Sequence, residues 1–203
     1  MRKLLFLLFF FIVTGLQAQS FRAGLQLGLA ASQVTGDQLS GFHKVGMFGG
    51  MFVNYPTGHL GDFQLELNYI QKGSRKNAHP DEGDYEKYIM RLNYVALPFF
   101  YKFKIKEMLS VEVGAEFAYL INSKEFDIYG EITPDPRKED FSNVDLSAFA
   151  GVGINFYKNF RFVFRYSYSI KPIRPKPDSS LPLTYYDAGQ FNEVVITSIQ
   201  YQF

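Results

Sequence analysis

Seven charged side chains carry the main chemical signal: Glu66, Glu112 and Glu116 against Arg22, Lys72, Arg161 and Arg165. Each sits in a stretch whose apolar residues recur at every second position, so each points to the less apolar face of a strand. That face is otherwise Gly, Ser, Asn and Gln. Both signs of charge on such a face suit an interior ion-pair network, because a buried charge needs a partner. Glu112 and Glu116, four apart on one strand, share a face about 13 Å apart. That is wider than the separations used by paired carboxylates in glycosidases. Pairing with Arg161 and Arg165 therefore explains them better than acid–base chemistry.

Other reactive residues form no constellation. His43, His59 and His79 fall in separate connections without metal-ligand spacing. Ser40 and His43 could be a nucleophile and base at a barrel rim, but no orienting acid accompanies them. Gly151-Val152-Gly153 begins a G-x-G pattern, yet Phe156 takes the third glycine position and no helix follows. The stretch 127–140, with Pro134, Asp135, Pro136, Arg137, Lys138, Glu139 and Asp140, lacks calcium-loop spacing. The expectation is a non-enzyme with no catalytic residue, no metal and no cofactor.

Composition narrows the class. The 203 residues hold 21 Lys+Arg against 20 Asp+Glu, which gives no electrostatic footprint for nucleic acid. Cysteine is absent, so disulfides, thiolate metal sites and Cys-anchored lipid are excluded. An apolar content of 47% excludes wholesale disorder, and Phe and Tyr supply an aromatic share of 18%. Arg2 and Lys3, the apolar run 4–13 and the close at Ala18 follow the plan of a secretory signal peptide. Residues 1–18 are therefore expected to be cleaved, leaving 19–203 as one exported domain.

The elements that hold the charges are strands. Leu25, Leu27 and Leu29 alternate with Gln26 and Gly28, and Phe63, Leu65, Leu67 and Tyr69 with Gln64, Glu66 and Asn68. Val111 to Ile121, Leu146 to Phe156, Phe160 to Tyr168 and Val195 to Phe203 repeat the pattern. Two segments are less clean: Phe48 and Phe52 lie on a glycine face, and 92–103 is nearly all apolar and holds Pro98. That proline argues against a regular central ladder position. Eight strands are predicted, near 21–31, 44–55, 63–72, 88–103, 110–122, 145–156, 160–170 and 191–203. Their connections alternate: 32–43, 73–87, 123–144 and 171–190 are long, and the three between them are short. An even number of strands with all short turns at one end is the plan of an all-β, eight-stranded, antiparallel up-and-down transmembrane barrel.

Alternation alone does not say which face is inside. A soluble barrel of the lipocalin kind would turn its apolar face inward. An eight-stranded barrel has an interior only just wide enough for side chains. The bulky face would overfill it, whereas the face bearing Gly24, Gly28, Gly46, Gly50, Gly114, Gly151 and Gly153 leaves room for long charged side chains. The apolar face is therefore expected to meet lipid, with Tyr and Phe near the strand ends as interfacial girdles. A lumen filled by its own side chains should not conduct.

The segment Leu92-Asn93-Tyr94-Val95-Ala96-Leu97-Pro98-Phe99-Phe100-Tyr101-Lys102-Phe103 resembles the "Y-[LV]-x-[IL]-P" strand of the PorT-like outer-membrane β-barrel family. Arg22-Ala23-Gly24-Leu25-Gln26-Leu27-Gly28 is similar to that family's first strand, and Ala150-Gly151-Val152-Gly153-Ile154-Asn155-Phe156 to its sixth. Ala96 departs from the family, which often has Glu there. Tyr201-Gln202-Phe203 resembles the terminal signal read by the barrel assembly machinery, with Tyr201 and Phe203 as its aromatics. The resemblance implies an outer-membrane location and a link to protein secretion in Gram-negative bacteria with a type IX system. The expected partners are outer-membrane lipid, the barrel assembly machinery and secretion-system or cell-envelope proteins. The expected role is a structural or accessory barrel. The alternative is a surface binding or adhesion protein that uses the four long loops, the last of which holds Pro172, Pro175, Pro177, Pro182, Tyr185 and Tyr186.

Overall fold

The computed structural model describes residues 21–37, 39, 41–78, 80–132, 140–175 and 189–203. The predicted signal peptide, Ser40, His79, 133–139 and the Tyr185–Tyr186 pair lie outside the described residues. The strands in chain order are β1 (Arg22–Thr35), β2 (Lys44–Pro56), β3 (Gly61–Lys72), β4 (Arg75–Lys76), β5 (Tyr88–Lys104), β6 (Leu109–Asp127), β7 (Gly130–Glu131), β8 (Val144–Tyr157), β9 (Phe160–Ser169) and β10 (Phe191–Gln202). A 3-10 turn, Pro80–Glu82, follows β4. Eight of these strands pair in sequence order, all antiparallel. The ring closes through β1 on β10, where Leu27 faces Ile199, and through β5 on β6, where Leu97 faces Phe117. β4 and β7 are two-residue ribbons that extend β5 and β6 beyond the ring at the long-loop end.

Several strands outrun the sequence expectation at that end. β1 continues to Thr35 and β6 to Asp127. In β6 the ladder partner of Asn93 is Asn122 while that of Tyr94 is Leu120, so Ile121 is the extra residue of a bulge. Beyond it the outward series shifts by one residue, and a strict period of two loses the strand there. Pro98 does lie inside a strand. The β3–β5 ladder keeps one register but lacks its pairs between Leu65↔Phe99 and Asn68↔Ala96, the gap a residue without an N–H produces.

The two faces divide by chemistry. Leu27 is 68% exposed and Met47 60%, whereas Glu112 and Gln64 are 0% exposed. The apolar face is outside and the polar one lines the lumen, the arrangement of a barrel immersed in lipid. At the short-turn end the outer wall carries an aromatic ring. Phe63 packs edge-on to Tyr101 at 4.9 Å, Phe160 lies 4.9 Å from Tyr201, and Tyr201 lies 5.7 Å from Phe203. Toward the other end Tyr69, Tyr119 and Tyr166 face outward.

Candidate functional site

The lumen is a stack of side chains, and its first layer is a mouth at the short-turn end. A cavity of about 430 Å³ opens there, lined in part by Arg22, Asn54, His59, Lys102 and Arg161. Asp62 sits in it and binds Lys102 at 3.2 Å and Lys104 at 2.7 Å. Arg22, expected in the interior network, is instead exposed at this mouth. It is the first residue of β1, and the wall ends with it, so its side chain reaches water.

The second layer crosses the middle of the barrel. Arg165 on β9 grips Glu66 on β3 with both terminal nitrogens, at 3.1 and 3.0 Å, and Glu112 on β6 at 2.9 Å. Its guanidinium carbon lies 4.8 Å from the Phe100 ring centre and 4.4 Å from that of Phe149. Arg161 meets the other oxygen of Glu112 at 2.7 Å and donates to Ser110 Oγ at 2.7 Å and Gln200 Oε1 at 3.1 Å. Glu66 also accepts from Gln26, Gln64 and Asn68. Two carboxylates and two guanidiniums thus neutralise each other, with amides taking the remaining lone pairs. Gly153 makes room for this, since a Cβ there would collide with the Arg161 guanidinium.

The third layer centres on Lys72, which binds Glu116 at 2.9 Å and Asp145 at 3.0 Å. Asp145 accepts further from Ser147, Ser169 and Asn192, and Tyr94 places its ring 5.2 Å from the ammonium. Beyond it the long-loop half is apolar. Val34, Ile70, Met90, Leu92, Leu120 and Val194 meet there, together with Ile173 from the chain after β9. Arg174 closes this plug from above. It holds Glu125 through two bonds, at 3.2 and 2.7 Å, and its guanidinium carbon lies 3.6 Å from the Phe141 ring centre. The Tyr88 hydroxyl donates to the same carboxylate.

The structure therefore brings Glu66, Lys72, Glu112, Glu116, Arg161 and Arg165 into two adjoining networks. Sequence reasoning missed Asp62, Lys102 and Asp145, and the apolar plug entirely. Asp145 lies in phase with Ser147 on β8 and could have been found; Lys102 was hidden in an apolar run. Tyr201 and Phe203 face outward at the end of the ring-closing strand. His43 and His59 are exposed at opposite ends. Among the described residues no group of three His, Cys, Asp or Glu is placed to hold a metal. Outside the wall, Glu86 and Asp84 hold the Lys76 ammonium above its usual pKa, at 2.8 and 3.1 Å.

A family model described as an outer membrane protein beta-barrel domain matches residues 17–174. Among solved structures, the chain is similar to Ail, the attachment invasion locus protein of Yersinia pestis, crystallised with the heparin analogue sucrose octasulfate. The identity is 17% and the TM-score 0.50, covering 90% of this chain and 99% of that one. It is also similar to Neisserial surface protein A, at 12% identity and a TM-score of 0.53, covering 89% and 97%. These likenesses show the fold, a closed eight-stranded barrel with outer-membrane neighbours. Comparison with curated proteins gives no match.

Proposed function

The chain belongs to the outer membrane protein beta-barrel domain family, and on that premise we propose that it is a non-conducting, non-enzymatic barrel acting as a structural or accessory component. The observation that carries this reading is the filled lumen. An Arg165–Glu66–Glu112 bridge spans it, and an apolar plug sealed by Ile173 lies beyond. An ion crossing this path would have to break buried ion pairs and then enter a dry apolar layer, both costly steps. What the protein does, it does at its rims and outer wall.

On this reading residues 1–18 are removed on export. Both termini and the mouth face the periplasm, the long loops face outward, and Tyr201 and Phe203 serve the assembly machinery. The likeness of 92–103 to the PorT-like strand supports a place beside protein secretion, with cell-envelope proteins as partners. Planar-bilayer recording of the refolded chain tests the central statement. No unitary current steps are expected; discrete ohmic steps would overturn it. Deleting 176–188 in the producing cell separates the roles. Secretion lost only when the whole barrel is absent supports the accessory role; intact secretion with lost surface attachment supports adhesion.

A further inference from the structure

The outer wall is uneven near its long-loop end. A groove of about 610 Å³ runs across β2, β3, β5 and β6 there, and Lys44, Arg75, Arg91 and Lys124 line it with Asn93 and Asn122. It holds four cations, and no carboxylate is among its described lining residues. Lys124 pairs with Glu131 at 2.9 Å, Arg75 Nε donates to Asn77 at 2.7 Å, and Arg91 stacks 5.0 Å from the Phe126 ring centre. Lys44 is mostly buried and spends its ammonium on the Val45 carbonyl at 3.2 Å. The charges acting on it are Arg91 and Arg75, both of its own sign. Among the described residues neither of those two arginines has a carboxylate at ion-pair distance. The opposite wall is different: there Glu193 accepts from Gln33 and Tyr166.

Height on the barrel gives the groove its meaning. On β3 the outward series runs Leu65, Leu67, Tyr69 and then Gln71. On β5 it runs Leu97, Val95 and then Asn93 and Arg91. Arg91 lies four residues past Val95, about 13 Å along the strand and about 10 Å along the membrane normal at a 40° tilt. The headgroup layer of a leaflet is about 5–8 Å deep beyond the hydrocarbon. Arg91 is therefore rooted just past that layer, within an arginine side chain's reach of the phosphates.

The geometry points to a site for the phosphate of a lipid headgroup, in the leaflet that meets the long loops. Arg75 and Arg91 fork the anion, and Asn93 and Asn122 supply amide donors beside it. Acyl chains continue down over Met47, Tyr69 and Val95. Guanidiniums suit phosphate because their planar donors bind two oxygens at once. Only a lipid satisfies both halves of the surface, since free phosphate leaves the apolar strip below uncovered.

This inference rests on the lipid-facing reading of the wall. Native mass spectrometry of the full chain in detergent micelles, titrated with phosphatidic acid and with diacylglycerol, tests it. The wild type should retain phosphatidic acid and not diacylglycerol. The double variant R75Q/R91Q should bind phosphatidic acid about thirty-fold more weakly, from the usual worth of two surface cations at an anionic lipid. The double variant K106Q/K158Q, at the other end, should bind as the wild type does. Equal retention by R75Q/R91Q, or displacement by inorganic phosphate alone, would overturn the site. A heat-induced gel shift in every variant shows an intact barrel. A chain that shifts and inserts yet does not discriminate loses the groove alone; one that does not enter bilayers loses the membrane reading too.

Discussion

Arg165 is the residue on which the interior turns. It is 2% exposed, sits between two aromatic rings and satisfies two carboxylates from different strands. Removing one partner of a buried ion pair leaves an uncompensated charge in a dry site. Arg165→Met should therefore destabilise the folded barrel by about 3–5 kcal/mol, measured by urea unfolding in lipid vesicles. R165M combined with Glu66→Gln should cost less than the two separate losses added, because the second change removes the orphaned charge; simple additivity would contradict the coupling. Six of the seven charges expected in the lumen are there because strand parity fixes the direction of a side chain wherever the alternation is clean. Arg22 failed for a reason parity does not contain: direction is the same at the end of a wall, but the wall is gone. Lys102 failed in the opposite way, since flanking Tyr101 and Phe103 obscure which face is polar.

The elements followed the alternation until it broke. The bulge at Ile121 and the gap opposite Pro98 mark the places where hydrogen bonding departs from the regular ladder. The sequence shows a proline but not that the ladder tolerates it. The base of the last long loop was the larger surprise. The sequence places Ile173 in a long polar loop between Pro172 and Pro175, yet it is fully buried in the plug, pinned by its N–H to the Gln190 carbonyl at 2.8 Å. One apolar residue in a polar stretch has no period, so no pattern announces it. Ile173→Ala should cost about 2–5 kcal/mol, the usual range for emptying a buried isoleucine site. The effect should appear locally, as faster protease cleavage within 171–190 of the inserted barrel. An unchanged cleavage rate would mean that the Arg174–Glu125 clasp alone holds the loop.

For the whole molecule the decisive quantity was volume. The same alternation describes a barrel with an apolar centre or an apolar coat, and only the bulk of one face against the narrowness of eight strands separates them. In the structure the division is not absolute, since the lumen is polar in its mouth half and apolar in its long-loop half. The interior glycines and the plug are two answers to one constraint, a cross-section too small for either all-large or all-charged filling. The coat is the part the bilayer must read, and its depth dependence can be measured. Leu67 faces out mid-strand on β3, 44% exposed, whereas Val45 faces out beside the basic groove, 60% exposed. Leu67→Arg should destabilise the inserted barrel by about 2–4 kcal/mol and Val45→Arg by about 0–1 kcal/mol, as a charge at the bilayer centre compares with one at the interface. Both are read by reversible unfolding in vesicles of one lipid. Equal costs would mean that the two positions share a solvent, which a wall crossing a membrane does not allow.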